Sequence, residues 1–153
     1  MPFHRLILAL IATVSVVACS EATNGTGQIS KRIGEVVHDP AAREVDIAKL
    51  TTFGWDEFYI FKPGTSRAEI CEFIGAKRNS RGRIIRYQAV PNDSMAFAFG
   101  LNKQLTHTEL HALSNGRFES NAGGKAYTRS ASVFKIQRSS TGTSNDEVRL
   151  EQP

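Results

Sequence analysis

Between Met95 and Leu101 large and small residues alternate strictly, Met-Ala-Phe-Ala-Phe-Gly-Leu. That period of two predicts a strand with its large set in the core and its small set open to close packing. A second strand is expected over Trp55–Phe61, whose aromatic, β-prone residues make both faces apolar and so predict cover on both sides. Between them Ser66-Arg67-Ala68-Glu69 fits a capping box, Ile70, Phe73 and Ile74 keep helical core spacing, and Gly75 is a good stop. Asp39-Pro40 reads as an N-cap and first helical position, with a helix to about Leu50. Ile84–Val90 is expected to be a strand ended by Pro91-Asn92-Asp93, and Asn102-Lys103-Gln104 to turn into another over about Leu105–Leu113. Residues 114–125 read as a loop around Phe118, and 126–136 as the last ordered stretch. The order helix, strand, helix, then mostly antiparallel strands predicts an α+β fold, two short helices on a small sheet of about four to five strands.

The ends are set apart by their own patterns. Residues 1–18 pair a charged start, Met1 to Arg5, with a thirteen-residue uncharged run from Leu6 to Ala18. This length suits a secretory signal and falls short of the roughly 18–20 residues of a spanning helix. Residues 19–38, rich in Ser, Thr, Asn and Gly and without apolar periodicity, read as a lipidated N-terminus and flexible tether, 39–136 as the domain, and 137–153 as a disordered tail.

The chain has 153 residues, 41% hydrophobic and 22% charged, which excludes a multidomain enzyme and a wholly disordered protein. Its two cysteines cannot form a disulfide-dense scaffold or a four-cysteine zinc site. Without residues 1–18, which hold Arg5 and no acid, 18 basic side chains face 15 acidic ones, a balance of +3 that does not predict nucleic-acid binding. Cys71, between Ile70 and Phe73 on the second helix, is expected to be a buried small hydrophobe.

His107, Glu109 and His111 would share one face of a strand and offer two imidazoles and a carboxylate, a set adequate for zinc with an open position. Same-face residues on a strand lie about 6.5–7 Å apart, which suits a solvent-facing polar row better than convergence on one ion. Lys77, Arg78, Arg81, Arg83 and Arg86 form a basic turn able to meet lipid headgroups, lipopolysaccharide phosphates or an acidic protein. The sequence has no G-x-S-x-G and no glycine-rich phosphate signature, and Cys71 lacks an arguable histidine partner. No catalytic residues and no cofactor are assigned.

Val16-Val17-Ala18-Cys19 resembles the lipobox of bacterial lipoproteins, which implies lipidation of Cys19 after removal of residues 1–18. Ser20 after the cysteine resembles the sorting signal for the outer membrane. Trp55-Asp56, Tyr59-Ile60-Phe61, Pro63, Glu69-Ile70, the 97–103 segment and Val133-Phe134-Lys135-Ile136 look like a group of small uncharacterised bacterial lipoproteins. In that group a tyrosine often follows the proline, where this chain has Gly64. More distantly the element order is similar to the SmpA/OmlA outer-membrane assembly lipoproteins and the β-lactamase-inhibitor-like fold, which bind other proteins. The anchor, the tether and the lack of catalytic residues together predict a membrane-anchored, non-enzymatic interaction module of the cell envelope, facing the periplasm, whose partners are the membrane and another envelope protein. A binding module for lipopolysaccharide or peptidoglycan is the alternative, and a small metal-dependent hydrolase at His107, Glu109 and His111 a third.

Overall fold

The structure, a computed structural model, describes residues 27–75, 85–119, 126–139 and 147–153. Residues 1–26, with the signal and Cys19, lie outside them, as do Lys77, Arg78, Arg81 and Arg83 of the basic turn. The fold is α+β: among the described residues there are three α-helices and two mostly antiparallel sheets, of three and four strands. None of these helices is long and apolar enough to cross a membrane.

Sheet A has the order β2-β3-β4, from Glu57–Phe61, Ser94–Leu101 and Gln104–Ala112. The turn between β3 and β4 places Asn102 at φ 51° and Lys103 at φ 62°. Two left-handed residues in a two-residue loop match the twist of a hairpin. The alternation along β3 sorts its side chains as expected. Met95, Phe97 and Phe99 enter the main core, while Ala96 and Ala98 face a second cluster with Ile70, Cys71, Ile85 and Val90. Small side chains on that face let α3, Arg67–Phe73, lie close to the sheet. Ser66 caps α3 and Glu69 reaches back to the Ser66 amide, the capping box read from the sequence. Those hydrogen bonds hold the Glu69 carboxyl below its usual value.

Sheet B has the order β1-β6-β7-β5. Its strands are β1 Glu44–Asp46, β5 Arg117–Phe118, β6 Val133–Ser139 and β7 Glu147–Glu151. β5 pairs with β7 in parallel and the other pairs are antiparallel. Val45, Phe118, Phe134, Ile136 and Leu150 carry this sheet into the main core. There Phe58 stacks on Phe99 at 4.7 Å and meets Phe97 edge-on at 5.2 Å. Such pairs add about 0.5–1.5 kcal/mol each to the burial of their rings.

Four expectations about elements are corrected. Gln28–His38, placed within the tether of 19–38, is helix α1 with Ile29, Ile33 and Val37 buried. The stripe at i, i+4 and i+8 is present in the sequence but short, and Ser30 and Gly34 dilute it. The helix expected over Asp39–Leu50 is instead a turn, strand β1, and the four-residue α2, Ile47–Leu50. Asp39 accepts from the Ala41 amide in that turn, while Asp46 is the residue that caps a helix, accepting from Ala48 N at 3.0 Å. Residues 85–90 form no strand beyond an isolated bridge of Ala89 to Ser66, because Gln88 and Val90 bond the start of α3 rather than a sheet. The tail expected over 137–153 holds the end of β6 and all of β7, whose Val148 and Leu150 point inward between polar neighbours.

Candidate functional site

α1 lies against sheet A at its N-terminus and sheet B at its C-terminus, and each end meets a charge opposite to its helix dipole. At the start, the Glu109 carboxylate from β4 accepts from Ser30 N at 2.8 Å and Ile29 N at 3.3 Å. At the far end, Arg138 from β6 donates to the carbonyls of Val37 at 3.0 Å, Asp39 at 2.7 Å and Ala42 at 3.0 Å. Amides exposed at a helix start carry partial positive charge and the terminal carbonyls partial negative charge, so both contacts are favourable. Gly27 stands where a Cβ would run into the Glu109 carboxylate.

Ser30 is the centre of the N-terminal contact. Its hydroxyl accepts from Ala112 N at 3.1 Å and Asn115 Nδ2 at 3.1 Å, and it meets His111 Nδ1 at 2.9 Å. The other ring nitrogen of His111 lies 2.7 Å from the Gly116 carbonyl. A carbonyl only accepts, so Nε2 carries the proton and Nδ1 accepts from the serine. His111 is wholly buried, stacked on Phe97 at 4.7 Å and edge-on to Phe118 at 5.1 Å. Burial pushes its pKa down to about 4, against the opposing pull of the Gly116 carbonyl and of Glu109. The ring is neutral at pH 7.

These positions decide the chemistry available to His107, Glu109 and His111. They do share one face of β4, but that face looks toward α1 and the main core, which corrects the solvent-facing row expected of them. They do not converge on one point: His111 spends both nitrogens on Ser30 and Gly116, while Glu109 spends its oxygens on α1 and on His107 Nε2 at 3.2 Å. Among the described residues no group of three His, Cys, Asp or Glu side chains converges as metal ligands. Ser30 beside His111 has the composition of a nucleophile and base, yet both are fully buried and both lone-pair positions of the hydroxyl are taken. The cluster is a fastener between helix and sheet.

Arg86, the described member of the basic turn, is exposed on the segment leading to β3. Cys71 is buried as expected, inside the second cluster.

A different surface stands out on the α3 side of sheet A. Phe73, with 48% of its surface exposed, is the most open large hydrophobic residue among those described. Its ring meets those of Tyr59 and Phe61 edge-on, each at 5.9 Å. Tyr59 donates to Glu57 Oε2 at 2.9 Å, and burial followed by the Glu57 carboxylate pushes its pKa up to about 12. The phenol is a fixed neutral donor at the rim of an aromatic surface. The sequence reading placed Phe73 in the core and passed over Tyr59, Ser30, Asn115 and Arg138. The spacing of Ile29, Ile33 and Val37 is the signal that could have exposed α1 and, with it, Ser30.

Comparison with known protein families, with curated proteins and with solved structures finds no match to this chain.

Proposed function

We propose that the chain is a lipid-anchored, non-enzymatic interaction protein of the bacterial cell envelope. The anchor is Cys19, read from Val16-Val17-Ala18-Cys19, and its setting is the outer membrane facing the periplasm. Two or three acyl chains at about 0.8 kcal/mol per buried methylene hold a protein stably where one chain does not. The observation that carries the interaction reading is the Tyr59–Phe61–Phe73 surface, with Phe73 half exposed beside a half-buried phenol. Aromatic side chains with one polar handle are the type that anchors protein interfaces. The internal engagement of Ser30, His111 and Glu109 supports a non-enzymatic role, since none of them is presented to a substrate.

Two measurements test the two halves. Cys19→Ala should give protein that takes up no labelled fatty acid and leaves the membrane fraction or stays unprocessed; labelling like the parent refutes the anchor. A photo-crosslinking amino acid at Phe73, followed by capture from detergent-solubilised membranes, should trap one envelope protein, and Tyr59→Ala should weaken the capture. Crosslinks that are absent, or unchanged in Tyr59→Ala, refute the interaction surface.

The cations Lys77, Arg78, Arg81, Arg83 and Arg86, five within ten residues, favour a second reading in which the same protein binds an anionic envelope ligand. Replacing Lys77, Arg78 and Arg81 by Gln should then abolish salt-sensitive binding to lipopolysaccharide.

A further inference from the structure

The Ser30–His111 contact is built for one protonation state. A second ring proton on His111 would sit on Nδ1 and point at the Ser30 hydroxyl. That oxygen already accepts from the Ala112 amide and the Asn115 side chain, which uses both of its lone pairs. Donor would then face an oxygen with nothing left to offer, and the serine's own proton would have lost its acceptor. Nor can the ring turn to another partner, because Phe97 and Phe118 hold its plane and Gly116 holds its far nitrogen. The charged ring and a docked Ser30 exclude one another.

The groups around the ring set what else responds to acid. From β4 come Glu109, whose charge favours the protonated ring, and His107 beyond it on the same strand. α1 presents to the ring the Ser30 hydroxyl, residues 113–118 bring Asn115, the Gly116 carbonyl and Phe118, and β3 brings Phe97. Among the described residues the opposing charge comes from Glu109, which is already engaged with the Ile29 and Ser30 amides. Lost with Ser30 would be the cover of the outer edge of β4, where Gly27 N bonds Leu110 O at 3.0 Å and Ser30 accepts from Ala112 N.

We infer that Ser30, Asn115 and His111 form a proton-sensitive latch that releases the N-terminal part of α1 from sheet A on acidification. Release uncovers the Leu110–Ala112 edge of β4. The latch stands whether or not Cys19 carries lipid, so it survives failure of the anchor reading. The protein's neutral state keeps α1 docked, and the acidic state frees it while sheet B remains paired.

The test is a nuclear magnetic resonance titration of the full chain in detergent micelles from pH 7.5 to 3.5, following backbone amides and the His111 ring nitrogens together. At neutral pH the ring should show the Nε2–H form. On acidification the Ile29–Ile33 amides should move to random-coil positions with the ring's own protonation, while the β6 and β7 amides stay dispersed. The shared midpoint should fall between about 4, the value of the docked ring, and 6.5, the ordinary value it regains on release. His111→Gln should remove the transition and Glu109→Gln should retain it. The inference is overturned if α1 stays helical while the ring protonates, if helix and sheets are lost in one step, or if the transition follows Glu109 rather than His111. Because the parent chain alone reports the first two outcomes, a variant that fails to fold does not remove the test.

Discussion

Gly34→Ala sets helix propensity against packing at one atom. Alanine is favoured over glycine inside a helix by about 1 kcal/mol, so an isolated α1 would gain from the change. In the folded protein a Cβ at residue 34 would lie 2.5 Å from Asn115 Oδ1 and 2.8 Å from its Cγ. Asn115 cannot retreat cheaply, because its Nδ2 donates to Ser30 O at 3.0 Å and Ser30 Oγ at 3.1 Å. Losing two hydrogen bonds costs about 2 kcal/mol together, and crowding a packed site costs about 1–3 kcal/mol if the side chain stays. Net of that gain, the variant should be less stable by about 1–2 kcal/mol. Urea unfolding followed by the fluorescence of Trp55, which is buried in the main core, measures this directly. The cycle is completed with Asn115→Ala, a background in which Gly34→Ala should become neutral or stabilising by up to about 1 kcal/mol. A Gly34→Ala protein at least as stable as the parent would refute the packing argument, and equal costs in both backgrounds would show that Asn115 is not its cause.

Glu109→Gln should cost about 1.5–3 kcal/mol in urea unfolding, since it removes a charged acceptor from two helix-start amides. Arg138→Met at the other end should cost about 1–2 kcal/mol, and the two losses should add, because Ser30 and Val37 lie about 10 Å apart along the helix and the two sites share no partner. The depressed pKa of His111 means that the unfolded chain binds a proton the folded chain refuses between pH 6.5 and about 4. Stability should therefore fall as pH drops through that window, by up to about 3 kcal/mol at 1.36 kcal/mol per unit, and a flat profile measured by urea titration would refute the neutral buried ring. Cys71 should react with a water-soluble maleimide many times more slowly in the folded protein than in denaturant, and equal rates would place the thiol at the surface.

The parts of the fold written in local pattern were legible. β3 and the capped start of α3 announce themselves through strict alternation and through Ser66 with Glu69, signals that need no distant partner. The elements that were misread depend on partners far along the chain. β7 looks polar until Val148 and Leu150 are set against β6 and β5, and β1 is a three-residue strand made by Phe134 some ninety residues away. At the candidate site the shared face of His107, Glu109 and His111 could be read from period two, but its direction could not. Whether that face meets water or a helix depended on α1, where Gly34 weakens the local helical signal to admit Asn115.

The place of β7 between β5 and β6 also orders events in time. β5 is two residues long and pairs with Arg149 and Leu150, so it has no strand to join until β7 is present. Leu150 is also the side chain that lies under Gly116, within 3.1 Å of where a Cβ there would stand. A chain that emerges N-terminus first therefore leaves Phe118 without its partner strand until residues 147–151 follow, and must then close a loop of about thirty residues between β5 and β7. Such non-local closure is slow and leaves apolar strands open to mispairing in the interval. A chain cut short before Glu147 should consequently be a substrate for proteolysis rather than a smaller version of the same fold.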